Sequence, residues 1–266
     1  MAVFGFIGVG NMGGALARAA AQKVNGPSLL LANRSPEKAE RLAAALDGQV
    51  SDNTAIASEA DYIFLGVKPQ MLPGVLEGLA PVLQARQSPF VLVSMAAGTS
   101  IARVRQLAGG DYPVIRIMPN TPAAIGQGMI LYAPSEDVPA DALETFLDRM
   151  SAAGRFARLE ERLIDAGSAV SGCGPAFVDL FIEALADGGV ACGLPRSTAM
   201  ELAAQMVLGS AALVLSDGRH PGALKDAVCS PGGTTIQGVR ALEKGGFRST
   251  VMEAVIAAYE KNFDLK

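Results

Sequence analysis

The 266-residue chain has no tryptophan, one histidine, His220, and few aromatic residues of any kind, while half of its residues are apolar. Its core must therefore be built by packing small aliphatic side chains. The cysteines, Cys173, Cys192 and Cys229, are odd in number and far apart, which excludes a disulfide framework and a zinc spacing. No metal site is expected, and a reducing cytoplasm is the expected compartment. Lysines and arginines form no cluster and the net charge is −4, so no nucleic-acid partner is expected. No apolar run reads as long enough to span a membrane, and the stretch Met1 to Phe6 has no basic residue ahead of its apolar part, as a signal peptide would. No internal repeat or low-complexity segment is present.

Short aliphatic runs alternate with helix-like stretches through the first half. Strands are expected at Val3 to Ile7, Leu29 to Ala32, Tyr62 to Val67, Phe90 to Ser94 and Val114 to Met118. A helix is expected from Met12 to about Lys23, and another opens at Ser35-Pro36-Glu37, with Ser35 able to cap it. Parallel neighbours need a crossover helix, so this order predicts a doubly wound parallel sheet whose strands are covered on both faces. Beyond about residue 160 the strand signal ends. Helices are expected over 175–188, 196–216, 222–228, 235–244 and 249–263. The stretch Leu202 to Leu215 is apolar on nearly every face and is expected to be buried, against another subunit if not within the chain. The expected organisation is α/β, with one domain over 1–160 and a helical domain over 161–266.

Gly8-Val9-Gly10-Asn11-Met12-Gly13 follows the first strand and opens a helix. Gly8 suits a tight turn, Gly10 the approach of a pyrophosphate, and Gly13 close packing of helix on strand. In that context the turn reads as a dinucleotide site, with the phosphates on the helix N-terminus. An NAD enzyme usually carries an acidic residue at the end of the second strand; this chain has Asn33-Arg34-Ser35, with Lys38 a turn further on. With no carboxylate to repel a 2′-phosphate, NADP is preferred over NAD, although a solvated arginine beside a helix cap would look the same. Val67-Lys68-Pro69 ends the third expected strand, where Lys68 either meets a ligand or is solvated. Met118-Pro119-Asn120-Thr121-Pro122 makes a stiff loop at another strand end, read as functional over a plain turn.

In the second half, Ser230-Pro231-Gly232-Gly233-Thr234-Thr235 offers backbone N–H groups and hydroxyls at a helix start, which suits a carboxylate; a simple capping loop is the alternative. Cys173, in Ser171-Gly172-Cys173-Gly174, has no partner histidine and reads as a packed thiol. His220, before Pro221, reads as a solvated or capping residue. This scarcity of acid–base groups fits reduction of an imine, whose nitrogen protonates in solution, better than oxidation of an alcohol.

These segments together resemble the pyrroline-5-carboxylate reductase family over essentially the whole chain. The stretches that carry the resemblance are Gly8 to Gly13, Val67 to Pro69, Met118 to Pro122, Ser171 to Ala176, Ala186-Asp187-Gly188-Gly189-Val190 with Gly193-Leu194-Pro195, His220-Pro221-Gly222 through Leu224-Lys225-Asp226 to Thr235, and Gly245 to Ser249. The resemblance implies a Rossmann-type dinucleotide domain, an all-α dimerisation domain, and homodimers assembled further into a ring. It implies reduction of the small-molecule substrate (S)-1-pyrroline-5-carboxylate to L-proline with NADPH or NADH, in the cytoplasm and without a membrane. By the same resemblance Thr235 would act catalytically near the imine nitrogen, and Ser230, Gly233, Thr234 and Thr235 would hold the substrate carboxylate. Ile7, Gly8, Val9, Gly10, Asn11, Met12 and Gly13, then Asn33, Arg34, Ser35 and Asn53, then Gly66, Val67, Lys68 and Pro69 would line the cofactor. The chain departs from the family pattern at Cys173, Ala227 and Gly218. Two other readings compete: a β-hydroxyacid dehydrogenase, with Lys225 as its catalytic lysine, and an NAD(P)-binding regulator without turnover.

Overall fold

A computed structural model of the protein describes residues 2–262; Met1 and residues 263–266, with Phe263 at the end of the last expected helix, lie outside the described residues. The chain divides into two compact units. One runs up to Cys173 and resumes at Ala258; the other is Gly174–Ala257.

The first unit is a sheet covered by helices. Its strands are β1 (Phe4–Ile7), β2 (Leu29–Ala32), β3 (Gln49–Val50), β4 (Tyr62–Leu65), β5 (Val91–Ser94), β6 (Val114–Met118), β7 (Gly128–Pro134) and β8 (Gly154–Arg158), in the spatial order β3-β2-β1-β4-β5-β6-β7-β8. Helices α1 (Asn11–Ala20), α2 (Pro36–Leu46), α3 (Asn53–Glu59), α4 (Leu72–Ala85), α5 (Ile101–Ala108), α6 (Ala140–Met150) and α7 (Ile164–Ser171) connect and flank them. The five expected strands are all present, and β1 to β6 run parallel. Three further strands complete the sheet, and the sheet is not parallel throughout. β7 pairs antiparallel with β6, because the link between them holds only the 3-10 turn Thr121–Ile125, too short for the dozen or so residues of a crossover. After α6, β8 pairs parallel with β7.

Alternation along the central strands separates two cores. Phe4, Phe6 and Phe64 face one side with Leu16, Leu31 and Phe146, while Ile7, Ile63 and Leu65 face the other with Ile56, Leu76 and Val104. The Phe6 and Phe64 rings stack at 4.2 Å between centroids and Phe4 on Tyr62 at 4.6 Å. Tyr62 donates its hydroxyl to the Ala142 carbonyl at 2.8 Å, and burial pushes its pKa up to about 12. Asp52 and Ser100 cap α3 and α5, accepting from Ala55 N–H at 2.8 Å and Arg103 N–H at 3.2 Å. Ser35 occupies the cap position of α2 but makes no side-chain capping bond, contrary to expectation.

The second unit is helical: α8 (Gly174–Ala191), α9 (Arg196–Asp217), α10 (Pro221–Ala227), α11 (Thr234–Lys244) and α12 (Phe247–Lys261), whose last turn belongs to the first unit. α8 and α9 pack through Ala186, Ala199 and Ala203, small residues that let the two backbones approach. Arg196 and Asp187 close this pair at 2.5 Å. The expected burial of the apolar stretch is not met within one chain: Leu208 is 59% and Leu215 70% exposed, and Leu202, Met206 and Leu213 are also exposed. Nor do all apolar segments fall short of a membrane span. Glu161–Ala191 and Arg196–Asp217 reach that length, with mean hydropathy of 1.4 and 1.5. Isolated polar residues such as Glu201 and Gln205 break the run as read residue by residue, without lowering the average far enough.

Candidate active site

The chain direction along the sheet reverses at β1. From there the connections lead outward through β2 to β3, then back to β4 on the other side, which makes the carboxyl ends of β1 and β4 the crevice where open α/β sheets take ligands. Gly8 to Gly13 leave β1 at this point, and Gly66 to Pro69 leave β4. The two turns are hydrogen-bonded into the sheet: Gly8 N–H donates to the Ala32 carbonyl and Gly66 N–H to the Ile7 carbonyl, each at 2.8 Å. Gly8 has φ +96°, a conformation that L side chains rarely adopt. At Gly13 a Cβ would lie 2.1 Å from the Gly8 carbonyl oxygen, so only glycine lets α1 start this close to the turn. A Cβ at Gly10 would meet nothing within 4 Å, and the Gly10 cap of α1 makes no side-chain bond, so the helix N-terminus opens onto free space. An uncapped helix start with room above it fits a dinucleotide pyrophosphate.

Around that turn the expected cofactor residues gather at one edge. Ile7 is buried at the end of β1, Val9 is buried within the turn, and Asn11 and Met12 form the first turn of α1. The Asn33 amide braces the region: its oxygen accepts from Val9 N–H and its nitrogen donates to the Ser35 carbonyl, both at 3.2 Å. Arg34 and Lys38 are exposed, and neither forms an ion pair among the described residues. Asn53 opens α3 beyond β3. Val67 is half-buried, and Lys68 is exposed at the cap of the short turn Pro69–Met71.

The stiff loop after β6 uses its polar group on the protein itself. Asn120, 8% exposed, accepts from Met129 N–H at 2.9 Å and donates to the Ser171 carbonyl at 3.0 Å, tying β7 and the end of α7 to the loop. A feature that the sequence reading does not pick out lies beside it. Arg116 on β6, 4% exposed, meets Asp165 of α7 at 2.5 Å and Glu161 at 3.5 Å. Glu161 also accepts the Ile101 N–H at the start of α5 at 2.6 Å, and Arg116 Nε has no partner among the described residues. One charged residue inside the apolar run Val114 to Met118 was the available signal; its partners, some fifty positions away, gave none.

Within the helical unit, the expected substrate loop precedes α11. Gly232 has φ +69°, and Gly233 N–H donates to the Ser230 carbonyl at 3.0 Å, closing a tight turn. Gly233 caps α11 without a side-chain bond, leaving the first N–H groups of an 11-residue helix uncapped, and Thr234 and Thr235 are exposed in its first turn. His220 caps α10, its Nδ1 accepting from Gly222 N–H at 3.0 Å, in line with the capping expectation. Lys225 is paired with Asp226, and this hydrogen bond raises its pKa, so the amine stays charged, unlike a lysine poised as a base. Cys173 is partly exposed and Cys192 exposed. No group of three or more His, Cys, Asp or Glu able to hold a metal occurs among the described residues.

Comparison with known proteins agrees with this arrangement. The family model for pyrroline-5-carboxylate reductase dimerisation matches residues 161–265, and that for NADP oxidoreductase, coenzyme F420-dependent, matches residues 3–98. The pyrroline-5-carboxylate reductase of Synechocystis is 45% identical over 265 residues, covering 98% of this chain and 97% of the relative. A solved pyrroline-5-carboxylate reductase from Coxiella burnetii superposes with a TM-score of 0.91 at 30% identity, covering 100% of this chain and 98% of the other. The pyrroline carboxylate reductase of Plasmodium falciparum, solved with NADP bound, gives 0.89 at 33% identity, covering 99% and 98%. The chain belongs to the pyrroline-5-carboxylate reductase family.

Proposed function

We propose that this protein reduces (S)-1-pyrroline-5-carboxylate to L-proline, the last step of proline biosynthesis, with NADPH preferred and NADH accepted. The observation that carries the reading is full-length similarity at 45% identity to a pyrroline-5-carboxylate reductase, joined to an open glycine turn that fits a dinucleotide. When bound, the cofactor would supply a hydride for the imine carbon, whose neighbouring nitrogen carries a proton.

The protein's own part is binding and orientation. The cofactor pyrophosphate would lie on the start of α1 over Gly8 to Gly13, with Ile7 beneath it. Asn33, Arg34 and Ser35 would surround the adenine ribose, and Asn53 and Gly66 to Pro69 would line the rest. Asn33 would serve chiefly by holding the glycine turn to the end of β2. At the start of α11 the backbone N–H groups of Thr234 and Thr235, with Ser230 and with Gly233 closing the turn beneath them, would donate to the substrate carboxylate, favoured by the helix dipole. Thr235 would place its hydroxyl beside the imine nitrogen, fixing which face of the ring receives hydride. Little acid–base work is needed, because the imine nitrogen is readily protonated in water.

The dinucleotide part is placed in 1–160 and the dimerisation and substrate part in 161–266, with homodimers assembled into a ring in the cytoplasm. The match to the dimerisation family and the exposed apolar residues of α9 support the dimer. The test is NADPH consumption on addition of pyrroline-5-carboxylate, with NADH in parallel. Thr235→Ala should lower turnover at least tenfold, the weight of one well-placed hydrogen bond, and leave NADPH affinity intact. Folded protein that binds NADPH yet consumes none would move the assignment to the regulator reading, and unchanged turnover in Thr235→Ala would remove that residue from the mechanism.

A further inference from the structure

A groove runs along the surface between α1 and α2, starting at the glycine turn. Val9, Gly10 and Asn11 border one end, and its walls carry Arg18 from α1 with Lys38 and Arg41 from α2. The spacing explains the convergence. Asn11, Gly14 and Arg18 fall on one stripe of α1, and Lys38 and Arg41, three apart, are neighbours on α2. Gly14 and Ala15 keep the floor low between them. All three cations are exposed, no carboxylate lines the groove, and none of the three forms an ion pair among the described residues. Elsewhere on the same unit Lys23, Arg105 and Arg149 are paired with aspartates. Arg41 donates its Nε to the Glu37 carbonyl at 3.3 Å, which steadies the guanidinium and leaves its terminal nitrogens for another acceptor. Three unpaired cations lining one groove repel one another, and an anion between them would relieve that.

We infer that this groove seats the 2′-phosphate of NADPH, with Arg18 and Arg41, alongside Lys38, as the residues that set the preference for NADPH over NADH. A phosphate monoester is the class of group that suits it: a compact dianion able to accept from two guanidinium groups and an ammonium at once. The inference rests on the dinucleotide reading of the glycine turn and not on the identity of the imine.

The test measures dissociation constants for NADPH and for NADH without pyrroline substrate. It compares the unaltered protein, the double variant Arg18→Gln/Arg41→Gln, and a control double variant, Arg155→Gln/Arg158→Gln, which removes the same charge from exposed positions of β8. The expected result is NADPH affinity weakened about a hundredfold in the groove variant, through loss of two charge-assisted contacts, with Lys38 retaining part of the attraction. NADH affinity should be essentially unchanged, which also shows that the fold is intact, and the control should keep the original preference. Equal weakening of both cofactors, no weakening of either, or a control that loses NADPH as strongly would overturn the assignment. So would equal affinity of the unaltered protein for the two cofactors. Because no turnover is read, a protein that binds NADPH selectively through these arginines but does not reduce the imine would refute the proposed reaction alone.

Discussion

Tyr62 couples stability to pH at a single residue. Its folded pKa of about 12 lies above the ordinary value near 10, so in the interval between them the unfolded chain releases a proton that the folded chain keeps. Stability should be level below pH 10 and fall as pH rises towards 12, by about 2 kcal/mol from Tyr62, with a further share from Tyr112, also raised by burial. Urea unfolding at pH 9 and pH 11 should show roughly half of this drop, and Tyr62→Phe should remove most of it; an unchanged drop in that variant would assign the effect elsewhere. Residues whose roles arise from local demands were legible in the sequence. Gly8 and Gly13 answer to a turn and a helix start only a few positions apart, and His220 to the helix that begins beside it. Asn33 and Asn120 were legible as polar groups at strand ends but not as braces, since what they hold, Val9 and Ser171, is fixed by the tertiary fold.

At the scale of elements, the cluster of Arg116, Asp165 and Glu161 joins β6, α7 and the start of α5. Removing Asp165 leaves the buried Arg116 with only the more distant and partly exposed Glu161 at 3.5 Å, which costs more than the Arg116–Asp165 pair contributes. Asp165→Ala should therefore destabilise the protein by about 3–5 kcal/mol, while Arg116→Met/Asp165→Leu, with both charges gone, should recover most of that loss in thermal unfolding. A double variant no more stable than Asp165→Ala would mean that the cost is packing and not charge. The strands legible in the sequence are those with apolar runs, broken in β6 only by Arg116, that follow a helical stretch or open the chain. β3 has two residues and too little sequence to register, and β8, Gly-Arg-Phe-Ala-Arg, mixes charge with apolar groups. β7 did carry a signal, the apolar run Met129 to Ala133 between a glycine and a proline, but a strict alternation of strand and helix has no place for a strand that follows another through a short turn.

At the scale of the molecule, the apolar residues of α9 mark where subunits would meet. Leu208→Glu places a charge on that face and should convert dimers to monomers in light scattering; a dimer of unchanged mass would move the interface off this helix. The same measurement on the unaltered protein reads the assembly, where a mass of several dimers supports the ring. The sequence made this surface visible as a helix without a polar face, but a single chain cannot say what covers it. The ends of the sheet narrow the choice. One edge strand, β3, has only two residues, and the other, β8, carries exposed Arg155 and Arg158. A strand from a second copy would find almost no backbone to pair with at the first edge and a positively charged rim at the second, matching its own. Growth by sheet extension, the route to open-ended fibrils, is thereby discouraged at both margins, and association is left to the helices, where it can close.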